Sequence, residues 1–119
     1  MQTYDPRYLG GIARFNRGEY FECHEVWEEL WRETQGPARL FYKGLIQIAV
    51  TLHHARTGNA RGACRLFQRS CRSLEAYRPN YLGVNVEQLL DEVECSVRET
   101  PPSVLENTGV APRIELSPR

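Results

Sequence analysis

"GEYFECHEVWEELW", residues 18–31, holds five glutamates, two tryptophans, one histidine and one cysteine in fourteen positions. A compact ligand cluster and a helix with an acidic outer face both fit that composition, and the period separates them. At about 100° per residue, Tyr20, Cys23, His24, Leu30 and Trp31 fall within about 60° of Trp27. Glu22, Glu25 and Glu29 fall on the opposite side, and Glu28 sits on the border, one turn from His24. The stretch therefore reads as an amphipathic helix with an acidic strip and a separate His24–Glu28 pair at i, i+4.

The same punctuation extends outward from this helix. Asp5 is placed to cap a first helix opened by Pro6 and stopped by Gly18, with Gly10 and Gly11 weakening it. The second helix is expected from about Glu19 to Thr34. "QGP" then breaks the chain, and Pro37 opens a third helix to about Thr57, closed by Gly58. Asn59 caps a fourth helix to about Tyr77, "RPNYLG" reads as a loop, and Asn85 with Gln88 resembles a capping box for a fifth helix to about Arg98. No hairpin signal stands out. In the fourth helix Ala60, Ala63, Cys64, Phe67, Cys71, Leu74 and Tyr77 form one apolar stripe. In the third, Phe41, Tyr42, Leu45, Ile48, Ala49 and Leu52 share a face, with Ile46 and His53 on its flank. That face is wide enough for two neighbours, and Gly44 lets one approach closely.

The expected fold is all-α: a compact bundle of about five helices with a four-helix-bundle-like core over residues 1–99. Residues 100–119 form a tail. Pro101, Pro102, Pro112 and Pro118 forbid a long helix there, so it is expected to be extended or partly disordered.

Composition narrows the function. Lys+Arg and Asp+Glu are both 15 in 119 residues, so the net charge is zero. Such a chain has no global field to draw in nucleic acid or anionic membrane. The longest mostly apolar stretch, "LIQIAVTL" at 45–52, is far short of a bilayer span. No basic start followed by an apolar run marks a signal peptide. The four cysteines, Cys23, Cys64, Cys71 and Cys95, form no CxxC pair and read as small buried residues, in keeping with a cytoplasmic address.

Charge is nonetheless unevenly placed. Residues 19–33 carry six glutamates and one arginine, and residues 60–78 carry five arginines and one glutamate. Salt-bridging between helices or subunits is the plain use of that asymmetry. The arginine face also suggests weak nucleic-acid binding, but it lacks the interleaved aromatics of a single-strand binder. A second polar strip, Lys43, Gln47 and His54, lies on the third helix with Arg39 and Thr51 at its edges. If it faces the acidic helix, Glu22 or Glu25 could bond Gln47 and His54, and a histidine held by carboxylates could act as acid or base. The candidate pocket is thus Glu22, His24, Glu25, Glu28, Gln47 and His54. His24 and Glu28 are the candidate ligands for a divalent metal, although "HEVWE" has glutamate where a zinc helix places its second histidine. The plain reading of His24 is a core-edge residue bonded to Glu28 or to a backbone carbonyl, its ring on Trp27.

"FNRGEYFECHEVWEELWR", "GLIQIAV" and "HHARTGNARGA" together resemble the proteins called domain of unknown function 309, over roughly residues 8 to 95. The resemblance implies a small all-helical bundle without an established activity. Its pattern falls on Asn16, Gly18, Phe21, Glu22, His24, Glu25, Glu28 and Trp31, then on Gly44, Leu45, Gln47, Gly58, Asn59, Gly62 and Ala63. A histidine of the pattern matches either His53 or His54. Gly18 and Gly58 read as helix stops, and Gly44 and Gly62 as close helix contacts. The leading expectation is an interaction or structural role, with a homo-oligomer or a protein partner. The alternative is a metal-binding or hydrolase-like protein using the Glu/His pocket.

Overall fold

The structure, a computed structural model, describes residues 4–99 and 111–117. Five α-helices follow in order: α1 (Pro6–Asn16), α2 (Tyr20–Glu33), α3 (Ala38–Arg56), α4 (Ala60–Leu74) and α5 (Val86–Arg98). Their ends follow local chemistry. The Asp5 carboxylate accepts from the Arg7 amide, Asn59 from Gly62, and Asn85 from Gln88, each satisfying a backbone donor that has no partner inside the helix. The capping box at Asn85 is half made, because the Gln88 side chain bonds Glu92 instead. Gly18 and Gly58 follow α1 and α3 with left-handed φ, as expected of stops. The fourth helix is α-helical only to Leu74 and continues as a 3-10 turn over Glu75–Tyr77.

"RPNYLG" is more ordered than a loop. Asn80–Tyr81 (β1) and Val84–Asn85 (β2) pair antiparallel, in register Asn80 with Asn85 and Tyr81 with Val84. The two residues between them, Leu82 and Gly83, both have positive φ, at 46° and 82°, which is the turn that matches strand twist in a two-residue hairpin. Leucine is an unfavourable residue there, so the sequence carries no Asn-Gly signal for the hairpin.

Helices α2, α3 and α4 lie side by side with α3 in the middle. Neighbours run antiparallel: Phe21 meets His53 and Arg39 stacks on Trp31 between α2 and α3, while Gln47 bonds Ser73 and Tyr77 bonds Pro37 between α3 and the α4 end. The wide face of α3 is needed because it also receives α1 and α5. Tyr8 of α1 packs on Phe41 and Tyr42, and the Trp27 indole lies over Phe15 and donates to the Tyr8 carbonyl. The core runs through Tyr8, Phe15, Trp27, Phe41, Leu45 and Ile48, all fully buried.

Two glycines set how closely elements approach. A Cβ on Gly11 would lie 2.0 Å from the Trp27 ring nitrogen, and one on Gly44 2.5 Å from Leu74. Gly44 is the close helix contact expected of it. Gly62 is not: a Cβ there would meet the side chain of its own cap, Asn59.

The cysteine expectation needs correction. Only Cys23 is buried; Cys71 is intermediate, and Cys64 and Cys95 are exposed. The buried line of α4 runs through Ala63, Ser70 and Leu74 towards α3, rotated away from the stripe that contains Cys64. Among the described residues no helix is long and apolar enough to cross a membrane.

Residues 111–117 have no regular structure, yet they bridge α1 and α5. Ile114 is 3 % exposed. Its backbone is gripped on both sides by the Asn16 side chain, which donates to the Ile114 carbonyl at 2.9 Å and accepts from its amide at 2.8 Å. Ser117 bonds Gly83, and the Arg113 amide bonds Glu92. Pro101, Pro102 and Pro118 of the expected tail lie outside the described residues.

Candidate functional site

Each flank of α2 has a different neighbour. The flank towards α1 carries Glu19 and Glu33, which pair with Arg14 at 3.7 Å and Arg7 at 3.1 Å. Between-helix pairing thus neutralises part of the acidic strip. It does not involve the arginines of α4, because α3 stands between the two helices. The flank towards α3 carries Phe21, His24, Glu28 and Trp31. Glu22 and Glu25 lie on the exposed outer face and make no ion pair among the described residues.

The six residues expected to share a pocket are divided by the period of α3. Gln47 lies on the α4 flank, with Gly44 and Leu40, and its side-chain Oε1 accepts from the Ser73 hydroxyl at 2.8 Å. It is turned away from α2. The α2 flank of α3 carries His53, Ile46 and Arg39 instead. His54 lies nearer the outer strip and bonds Asn59 at 3.3 Å. Glu28 pairs with Arg32 at 2.9 Å rather than with His24. The expected pocket between the second and third helices is therefore not assembled from these six: Gln47 and the carboxylates occupy opposite sides of α3. Among the described residues, no group of three or more His, Cys, Asp or Glu side chains is arranged to hold a metal ion.

What the structure does bring together is the histidines. The chain has three: His24 and His53 lie beside Phe21 at the end of the bundle where α3 finishes, and His54 lies beside His53. Ring centroids are 5.0 Å apart for Phe21 and His24, 5.8 Å for Phe21 and His53, and 6.3 Å for His53 and His54. Their partners fix two tautomers. His24 Nδ1 lies 2.7 Å from the Phe21 carbonyl oxygen, which can only accept, so Nδ1 carries a proton and the neutral ring has its lone pair on Nε2. Asn59 Oδ1 accepts from the Gly62 amide. Its Nδ2 therefore faces His54 Nδ1, which must accept, and neutral His54 carries its proton on Nε2. His24 thus has the backbone-carbonyl bond that was one of its two expected partners, with Phe21 as its ring neighbour.

Phe21 is not among the six expected pocket residues. It is 50 % exposed, although its step of about 120° from Trp27 already places it off the buried face. Leu40, on the opposite flank of α3, is 46 % exposed. Between them the outer strip of α3 presents Lys43, half-buried Val50 and His54. The outer face of α4 presents Arg61, Arg65, Arg69 and Arg72, all exposed and without a carboxylate partner among the described residues. Trp31 is covered by the Arg39 guanidinium at 4.2 Å. Burial pushes the Cys23 thiol far above its ordinary range, so that residue is inert packing. A cleft of about 240 Å³ lies elsewhere, between α5 and residues 111–115, lined by Gln88, Glu92, Arg113 and Ile114 among others. None of the six expected residues borders it.

The chain is similar in sequence to two uncharacterized bacterial proteins. An uncharacterized protein of Bacillus subtilis, YpuF, is 41 % identical over 75 residues, covering 61 % of this chain and 43 % of the relative. An uncharacterized protein of Aquifex aeolicus is 26 % identical over 83 residues, covering 66 % of this chain and 25 % of the relative. The chain therefore spans less than half the length of either relative. Residues 8–66, which run from α1 through the first half of α4 and include Phe21 and all three histidines, match the model of one family. By that match the chain belongs to the family described as Domain of unknown function (DUF309).

Proposed function

We propose that this protein is a binding module whose working surface is the outer face of the α2–α3–α4 layer. The observation that carries the reading is Phe21: a large apolar side chain 50 % exposed, flanked by imidazoles and set beside unpaired carboxylates. An exposed phenylalanine does little for the fold. Burying the rest of it against a partner stabilises a complex by up to about 1–2 kcal/mol, and aromatic anchors ringed by polar groups are typical of binding hot spots. Leu40 and Val50 extend the apolar surface along the same face. We further propose a cytoplasmic address, which the four unpaired cysteines support.

The test uses a photo-crosslinking phenylalanine analogue placed in the full chain at position 21, with position 9 as control, in the protein's own host. Leu9 is also exposed, at 43 %, but lies on α1. The reading expects defined crosslinked species from position 21 that are absent from position 9 and are lost when Val50→Glu is added. Equal, diffuse labelling from both positions would refute it.

A further inference from the structure

We infer that the partner of this face is a second copy of the same chain, docked about a two-fold axis that runs along α3. The inference rests on the binding-module reading and names the occupant of its surface. Helices α2 and α4 flank α3, the first with exposed glutamates and the second with exposed arginines. If two copies meet face to face about an axis lying across the helices, α2 covers α2 and like charges meet. If the axis runs along α3, α2 of each copy covers α4 of the other. Only the second arrangement pairs carboxylates with guanidinium groups, and it does so twice by symmetry.

The rows are also in register. Both α2 and α4 start at the end of the bundle where α3 finishes, and both run antiparallel to α3. At about 1.5 Å per residue, Glu25 stands about 7.5 Å from the start of α2 and Arg65 at the same height from the start of α4; Glu29, which also reaches Arg7 of its own chain at 3.9 Å, is level with Arg69 at about 13.5 Å. The same operation supplies partners for both exposed apolar residues of the layer. Phe21, beside the α2–α3 groove, faces the α3–α4 groove of the copy, where Leu66 is half-buried. Leu40, on the other side of α3, faces the α2–α3 groove beside Trp31. Three helices about 10 Å apart and about 20 Å long present roughly 600 Å² in plan. That approaches the roughly 800 Å² per partner of a standard interface, so a dimer of moderate affinity fits. Lys43 is the one charged residue that meets its own copy across the axis, and Lys43→Gln therefore tightens the dimer.

Sedimentation equilibrium on the full chain tests this. Wild type is expected to pass from 13.8 kDa to twice that mass as concentration rises, and its dissociation constant to rise at least ~10-fold between ~0.05 and ~0.5 M salt as the charges are screened. Glu22→Lys with Glu25→Lys makes both rows basic, and Arg65→Glu with Arg69→Glu makes both acidic. Each double variant is expected to be monomeric where wild type is dimeric, and an equimolar mixture of the two to recover the doubled mass. A wild type that stays monomeric, variants that still dimerise, a mixture that stays monomeric, or a ladder of species beyond the dimer would each overturn the proposal. All four positions are exposed; should either variant lose its helical circular dichroism, the salt titration of wild type decides alone. Crosslinks from position 21 to a different protein, with no self-crosslink, would overturn the self-association and leave the binding-module reading standing. No crosslinks at all would remove both.

Discussion

Replacing Gly11 with alanine places a methyl group 2.0 Å from Trp27 Nε1 and 2.3 Å from its Cδ1. The indole cannot retreat, because Trp27 is fully buried and lies over Phe15 at 6.0 Å between ring centroids. Two terms oppose each other. Alanine in a helix interior is favoured over glycine by about 1 kcal/mol. Against that, forcing a methyl into a filled core costs about 1–3 kcal/mol. Displacing the indole also breaks its N–H bond to the Tyr8 carbonyl, at 3.3 Å, and a buried donor left unpaired costs about 1–3 kcal/mol. The net is a loss of roughly 1–5 kcal/mol, or a melting temperature lower by about 4–20 °C for a chain of this size. Gly10 is the internal control. It sits in the same turn, and a Cβ there meets nothing within 4 Å, so Gly10→Ala is expected to gain about 0.5–1 kcal/mol and about 2–4 °C. Urea denaturation followed by tryptophan emission and far-ultraviolet circular dichroism measures both. Helix propensity alone stabilises both variants equally; if the two shifts share a sign, the account of Trp27 seated on Gly11 is wrong.

The Asn16 clamp is expected to hold residues 111–117 in place. Asn16→Ala removes two hydrogen bonds and strands the Ile114 amide, at a cost of about 2–3 kcal/mol to tail docking. Hydrogen exchange at Ile114 should accelerate about 30-fold or more while α3 amides stay protected, and unchanged protection at Ile114 would contradict the role given to Asn16. Cysteine labelling at pH 8 should modify Cys64 and Cys95 first. Cys71 follows slowly, its thiol pKa raised by burial, and Cys23 reacts only in denaturant; early labelling of Cys23 would contradict the packing. Bonds to the Arg7 side chain and backbone hold Asp5 below its ordinary value of 3.8. A depressed carboxylate contributes stability above its unfolded-state pKa and loses it as pH falls through the folded one. The stability deficit of Asp5→Asn is therefore expected at neutral pH and should shrink as pH is lowered past about 4; a deficit that grows in acid would reverse the assignment.

The opposed charges of α2 and α4 are a local property that the zero net charge conceals. A surface with separate acidic and basic edges is selective at contact distance even where the chain as a whole carries no net charge. Because α3 keeps the two edges apart, they cannot quench each other within one molecule. The acidic edge is partly met from the α1 side, by Arg7 and Arg14, and the arginine edge has no such neighbour among the described residues.

Local chemistry alone determined the helices of this protein. Asp5, Asn59 and Asn85 satisfy amides within three residues, and the apolar period marks the buried side of α2 wherever its neighbours lie, so those features need no knowledge of the rest of the chain. The amphipathic period also told correctly that Glu22 and Glu25 point away from Trp27. What lies across from them was a tertiary decision. Gln47 and His54 share one side of a helical wheel, but α4 docks against Gly44 and draws Gln47 to Ser73, while His54 is taken by the cap of the next helix. The Leu82–Gly83 hairpin, the exposure of Cys64 and the capture of Ile114 by Asn16 were likewise hidden. Each depends on which neighbour arrives from far along the chain, 98 residues away in the last case, and periodicity reports only which way a side chain points, never what meets it.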